Sequence, residues 1–274
     1  MASDGHCRPA ELIALVHKRQ LNVIAITDHD TTAGLAEAQA ARIDLRAACQ
    51  LIPGIELSAA LAGASVHVLG YFINPDDAAF QAALAALREQ RVQRGRLMVQ
   101  KLNDLGVPLD WATVQARAQG DVIGRAHLAG ALYQGGYVDS LFEAFERYLG
   151  DDGPAYVPTP DLLPEDAIAM IHRAGGAAVL AHPAELSDYR TVIERLVPAG
   201  LDGLELVHPA NHGQVRLDLR GLARQHDLVL TGGSDFHGPP EGSSDGRALP
   251  GAFTLPPGCV TALRARAARY ANPG

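Results

Sequence analysis

The feature that most constrains this chain is a set of six short apolar runs, each of which carries or ends in polar residues. "LNVIAIT" leads into Asp28 and His29, "GIELS" carries Glu56, and "VHVLGYF" carries His67. "AAVLAHP" delivers His182, "LDGLELVHP" delivers His208, and "LVLTGGSDFH" delivers Asp235 and His237. Runs of this length, rich in β-branched residues and separated by stretches of helical period, predict βα units around a mostly parallel sheet buried on both faces. "PAELIALVHKRQ" places Pro9 at a first helical position, and "LPEDAIAMIHRAGG" runs from Pro164 to a glycine stop at Gly175 and Gly176; both predict helices. In a closed or nearly closed α/β barrel the C-terminal strand ends converge on one mouth. Residues far apart in sequence then meet there.

The chain has 274 residues, 47% of them hydrophobic, enough to bury the core of one large domain carrying an insertion. Residues 1–75 and 161–274 hold the strand-like runs. Between them, 76–160 shows no β-type run and is dominated by Ala, Leu, Gln and Arg with apolar spacings of three and four, which predicts a helical insertion. A Pro-rich stretch, "DDGPAYVPTPDLLP", closes it. With 31 acidic against 23 basic residues the formal charge is −8, so the surface as a whole repels a long polyanion and any nucleic-acid substrate is expected to be short and held locally. Cys7, Cys49 and Cys259 show no C-x-x-C spacing, which argues against a disulfide framework and a thiolate zinc site and fits a reduced cytoplasm. No apolar stretch approaches the ~20 residues that span a bilayer, and the N-terminus lacks the apolar segment of a signal peptide.

Carboxylates and imidazoles gathered at one mouth are the ingredients of a metal site. A neutral imidazole nitrogen coordinates, while carboxylates offset divalent charge and can bridge two ions about 3.5–4 Å apart. Nitrogen and oxygen donors without cysteine suit Mn²⁺, Zn²⁺ or Fe²⁺ better than a structural zinc or a calcium ion. The chemistry expected is metal-assisted hydrolysis.

Taken in order, "TDHDTTAGLAEA", "GIELS", "VHVLGYFI", "AGGAAVLAHP", "GLDGLELVHP" and "TGGSDFHG" resemble the PHP (polymerase and histidinol phosphatase) family of metal-dependent phosphoesterases. Within it the chain is most similar to the nucleoside 3′,5′-bisphosphate phosphatases, a branch that includes 5′ to 3′ trimming enzymes for short RNA. The resemblance extends into the insertion through "RVQRGRLMVQKLNDLGVPLD" and "VIGRAHLAGALYQGGYV". It implies an α/β fold, a distorted (β/α)₇ barrel with up to three metal ions. By motif matching Glu56, His67 and His182 hold one ion, and Asp4 with His29 and His237 holds another; Glu56 and Asp235 reach a third. The relatives begin with a strand ending in D-x-H-x-H-S, whose histidines serve the third ion; this sequence starts at Met1, so the first barrel strand is expected to be missing and two ions are better supported than three. The favoured explanation is that Met1 is an internal methionine of a longer protein, because a barrel short of one strand exposes two ladder edges.

The resemblance implies that a hydroxide held through Glu56, His182 and Asp235 attacks phosphorus in line, with Arg125 and His127 of "GRAH" binding a substrate phosphate. The expected substrate is a small nucleotide such as a nucleoside 3′,5′-bisphosphate, or short 5′-phosphorylated RNA. Alternatives are a phosphatase for another small phosphomonoester such as histidinol phosphate, and an impaired metal or nucleotide binder. The basic run Arg88, Arg91, Arg94, Arg96 and Lys101 reads either as a solvated helix face or as phosphate-facing. His208 and His212 lie beyond a strand end and are candidates for substrate contact. His17, His172 and His226 are expected to decorate helices, and Trp111 to pack.

Overall fold

The computed structural model describes residues 2–3, 5–117, 123–150, 152–158, 162–238 and 249–271. Its six strands fall on the six apolar runs, with β2 extending well beyond "GIELS" at both ends: β1 (Val23–Ile26), β2 (Gln50–Leu61), β3 (Ala64–Tyr71), β4 (Ala177–Leu180), β5 (Gly203–Val207) and β6 (Val229–Gly232). They form one sheet in chain order. Pairings β1–β2, β4–β5 and β5–β6 are parallel, whereas β3 runs antiparallel to both β2 and β4. The expectation of a mostly parallel sheet therefore needs one correction. Ala62 and Gly63, at φ +51° and +88°, make a two-residue turn with positive φ at both positions, which joins antiparallel strands and leaves no length for a crossover. As a result β3 alone points against the other five strands.

Among the described residues the sheet curls into a half-barrel of a distorted-barrel kind, with no strand pairing between β1 and β6. A cavity of about 610 Å³ opens there, lined by Val23, Ala25 and Ile26 of β1, by Gly232 and Gly233, and by Leu263 of α10 (Cys259–Ala267). His29, Glu56, His182, Asp235 and His237 border the same cavity.

Both sheet faces are buried, in the two-residue alternation of a strand. Ala178 and Leu180 of β4 join Ile55, Leu57, Val68 and Leu204 in a cluster with Ile168 and Ile171 of α7 (Pro164–Arg173) and Ile193 and Leu196 of α8 (Tyr189–Leu196). Their neighbours Ala177 and Val179 pack on the opposite face with Ile52, Leu69, Tyr71 and Leu263. Each large side chain so buried contributes roughly 1.5–3 kcal/mol. α1 (Pro9–Lys18) and α2 (Gly34–Asp44) form a third cluster beside β1 through Leu12, Ile13, Val16, Leu35 and Ala38. α9 (Gly213–Gln225) precedes β6.

Between β3 and α7 the described chain is helical: α3 (Ala78–Asp104), α4 (Trp111–Arg117), α5 (Arg125–Gln134), α6 (Leu141–Ala144) and a π-helical turn over Phe145–Leu149. Asp77 caps α3 by accepting from the Phe80 amide at 2.7 Å. These helices enclose their own cluster of Met98, Leu102, Val114, Leu128, Leu132 and Leu149, with Trp111 packed against it.

At the end of the barrel remote from the mouth, one carboxylate holds three elements. Asp202, 2% exposed, accepts from the Ala178 amide at 2.9 Å, from His172 Nε2 at 3.0 Å and from the Tyr270 hydroxyl at 3.2 Å. The His172 ring stacks on Tyr270 at 3.6 Å between centroids. His172 thus does not merely decorate α7 but pins the helix end to β4 and to the C-terminal segment. Asp202→Ala leaves three donors without an acceptor in a buried position, so we expect about 3 kcal/mol of lost stability in urea unfolding, against roughly 1 kcal/mol for Tyr270→Phe.

Candidate metal centre

The mouth is assembled by register. β1 ends at Ile26, and the chain continues alongside β2 so that His29 bridges to Glu56, with Asp30 N donating to Glu56 O at 3.0 Å and Glu56 N to Asp28 O at 3.1 Å. The hairpin places His67 opposite Ser58, and β4 delivers His182 just past Leu180. Three side chains then meet. His67 Nδ1 lies 2.8 Å and His182 Nε2 3.2 Å from Glu56 Oε1, and the two ring nitrogens are 3.1 Å apart. The His29 ring is 4.9 Å from that of His67, and ligand atoms of His29, Glu56 and His67 fall within 4.8 Å of one another.

This packing fits a divalent cation. Atoms bound about 2.0–2.2 Å from one ion lie roughly 3–3.5 Å from each other, the spacing seen here. Two imidazole nitrogens 3.1 Å apart make a hydrogen bond if one holds a proton and a ligand pair if neither does. The surroundings orient the rings as they do around bound metals. His29 Nδ1 pairs with Ser58 Oγ at 3.2 Å, and Ser65 Oγ with His67 Nε2 at 3.1 Å.

Charge at the cluster is strongly coupled. Burial works against the Glu56 carboxylate, yet the charge of His29 and hydrogen bonds from His182 and His67 hold it well below the usual carboxylate range. Burial pushes the His67 imidazole down, with Glu56 opposing. The His182 ring is disfavoured as a cation by burial, but hydrogen bonds to Glu185 and Glu56 push it up to about 11. His182 also sits at φ +24°, ψ 60°, a conformation rare for a side chain with a Cβ and stored where the surroundings enforce it. The enforcing contact is the Glu205 carboxylate, which accepts from His182 N at 2.8 Å. Burial raises Glu205 to about 7.

Asp235 and His237 follow β6. His237 Nδ1 donates to Asp235 O at 2.8 Å, which leaves the lone pair on Nε2. Asp235 lies at φ +48°. Burial opposes its carboxylate, and His208 and His237 together hold it below its ordinary value. Asp4 lies outside the described residues. Its neighbours are tied to the mouth: Asp28 Oδ1 accepts from Ala2 N at 2.8 Å and from Ser3 Oγ at 3.1 Å, Ser3 Oγ meets His29 N at 3.2 Å, and His6 N donates to His237 O at 2.6 Å.

No family model matches the sequence. Curated relatives do, and two of them carry the comparison. The chain is 36% identical over 282 residues, 99% of itself and 95% of the relative, to a 3′,5′-nucleoside bisphosphate phosphatase of Chromobacterium violaceum. It is 35% identical over 242 residues, 87% of itself and 83% of the relative, to the 5′-3′ exoribonuclease Rnm of Escherichia coli. This chain belongs to the PHP family of metal-dependent phosphoesterases. Among solved structures, a protein of Bifidobacterium adolescentis assigned as a metal-dependent phosphoesterase superposes with a TM-score of 0.84 at 32% identity, over 96% of this chain and 92% of the other. The PHP chain is accordingly a hydrolase acting on phosphate esters, and none of its described helices is long and apolar enough to cross a membrane.

The helical segment of this PHP protein is tied to the metal mouth through α3. Arg91 forms a close ion pair with Asp30 Oδ2, and Arg88 Nη1 reaches Asp30 O at 3.3 Å. Asp30 is 1% exposed, and its Oδ1 accepts from Ser58 N at 2.9 Å. The basic run is thus neither simply solvated nor uniformly phosphate-facing. Arg94 donates to Val157 O at 2.6 Å, Arg96 lies over Trp111, and Lys101 donates to Tyr156 O at 2.6 Å. Arg125 donates to Leu149 O at 3.2 Å and lies over the Phe145 and Tyr156 rings. The buried His127 accepts at Nδ1 from Gly124 N at 3.1 Å.

Asp28 was noted at its strand end without a role in the site, and Asp30, Ser58, Glu185 and Glu205 were not picked out from sequence as parts of it. The signal for Glu205 was present, since a carboxylate in the middle of "GLELV" has no reason to be in a buried strand unless something uses it. Asp30→Ala strands the Arg91 guanidinium in a half-buried position. We expect a loss of roughly 3 kcal/mol in chemical denaturation, with Arg91→Ala and the double variant showing non-additive costs.

Proposed function

We propose that this chain removes a phosphate from a small nucleotide such as a nucleoside 3′,5′-bisphosphate, and that it also trims short 5′-phosphorylated RNA. The observation that carries the reading is the convergence of Glu56, His67 and His182 on one point, with His29, Asp235 and His237 bordering the same cavity. The names of the Chromobacterium violaceum and Escherichia coli relatives support the substrate class.

In this reading Glu56, His67 and His182 hold one divalent ion, and Asp4, His29 and His237 hold another, with Glu56 and Asp235 reaching any third. Divalent cations bound there, Mn²⁺ in our assignment, supply charge neutralisation on the phosphoryl oxygens and the activation of water for in-line attack. The protein's own groups do the rest. Glu205 keeps the His182 backbone in its strained turn, and Ser58 sets which nitrogen of His29 faces inward. Residues 76–160 act as the substrate-binding unit of a barrel made by 1–75 and 161–274, with Arg125 and His127 facing a substrate phosphate. An arginine clamps phosphate through two parallel hydrogen bonds and so selects orientation as well as charge. The three cysteines are free, and we place the protein in the cytoplasm.

The test is phosphate release with Mn²⁺ from adenosine 3′,5′-bisphosphate and from histidinol phosphate. We expect release from the first only, abolished by chelation and restored by Mn²⁺. Glu56→Gln removes the charge shared by two imidazoles, and kcat/KM is expected to fall at least about 100-fold. Mn²⁺-loaded protein that releases phosphate from histidinol phosphate and not from the bisphosphate would sink the proposal.

A further inference from the structure

The loop that follows β5 holds a histidine whose chemistry differs from that of the other imidazoles at the mouth. Asn211, 2% exposed, fixes this loop from both sides. Its Nδ2 donates to Glu205 O at 2.8 Å, its Oδ1 accepts from Ala184 N at 3.1 Å, and its own amide donates to His208 O at 3.0 Å. The loop is therefore anchored to β5 and to the turn just past His182.

The His208 side chain is 4% exposed. Its Nδ1 accepts from Ala210 N at 3.1 Å. A ring nitrogen that accepts from an amide carries no proton, so the hydrogen of the ring is on Nε2. That nitrogen is shielded from solvent and has no hydrogen-bond partner among the described residues. It faces Asp235 Oδ2 at 3.5 Å, a distance long for a hydrogen bond but within reach of a small side-chain rotation. A buried donor left unmade costs about 1–3 kcal/mol, so the protein gains by completing this contact.

Asp235 needs such a partner. Its carboxylate is 41% exposed, it lies at φ +48°, and its other oxygen is 3.6 Å from His237 Nδ1, a nitrogen already given to the Asp235 carbonyl. His208 cannot serve as a ligand itself, because one nitrogen is occupied by an amide and the other holds the proton. Its ring packs 5.4 Å from that of His182, so it is built into the same wall without joining the cluster.

We propose that His208 is the positioning residue for Asp235, donating its Nε2 hydrogen to Oδ2 so that Oδ1 is presented to a divalent cation. The inference rests on the metal-centre reading above and assigns His208 a role in the protein rather than at the substrate.

The test uses Mn²⁺ alone, titrated calorimetrically into the metal-free full chain in the absence of any phosphoester. His208→Phe fills the space without a donor, while His208→Gln returns an N–H near the original Nε2. We expect the Phe variant to bind Mn²⁺ about 10- to 100-fold more weakly at the affected site, the Gln variant to stay within about threefold of the parent, and thermal unfolding in chelator to be alike for all three. Three results would overturn the assignment. In one, the Phe variant binds Mn²⁺ like the parent. In another, both variants lose affinity and stability together, which would make it packing. In the third, the parent takes up no Mn²⁺. Because no substrate is present, inactivity of the parent toward a nucleotide bisphosphate would count against the proposed function and leave this inference standing.

Discussion

A carboxylate buried between two imidazoles is the contact around which the rest of the mouth is organised. Glu56 is 6% exposed, and a charge in that position is costly unless it is compensated. His67 and His182 supply the compensation, and they reach it only because three strands are in the right register. A slip of one residue in the β2–β3 hairpin would turn His67 to the other face of the sheet. The two-residue turn at Ala62 and Gly63 therefore matters to the site although it lies at the far tip of the hairpin. Three polar residues around the mouth, Asp30, His182 and Asp235, lie in left-handed backbone past the ends of their strands.

The two ends of the barrel divide their work. At the end away from the mouth, Asp202 gathers an amide, an imidazole and a phenol into one hydrogen-bonded network. Such a network stiffens a fold. At the mouth the polar groups are crowded, their donors and acceptors are only partly matched, and Glu205 and His208 stand behind the cluster as supports. A cation held there, as in the proposed reading, would resolve the mismatch, because neutral imidazoles and carboxylates that compete for protons become mutually compatible ligands.

The helices between β3 and α7 keep their own apolar core, yet Arg88 and Arg91 of α3 reach back to Asp30, the residue next to His29. A buried ion pair whose carboxylate also takes the Ser58 amide couples that helical layer to the strand end carrying the site. Position along the sequence gives no hint of this link.

Much of the fold was legible in the amino-acid sequence. All six strands overlap apolar runs read from the sequence, although β2 is longer than its run, and the helices opening at Pro9 and Pro164 begin where proline at a first helical position predicts. The residue types of the centre were equally legible, because histidines and carboxylates at the ends of greasy strands have few reasons to be there. What the sequence could not supply was direction and company. The reversal of β3 depends on two backbone torsions in a turn, and the contacts of Asp28 with residues 2–3, of Asp30 with α3 and of His172 with Asp202 span long stretches of chain. The tautomer of His208 depends on which amide faces which ring nitrogen. Periodicity and composition are local properties and so determined the elements and the chemistry available at their ends. Only the tertiary structure, where strand register and long-range hydrogen bonds are set by packing, decided which of those groups meet and which merely stand behind them.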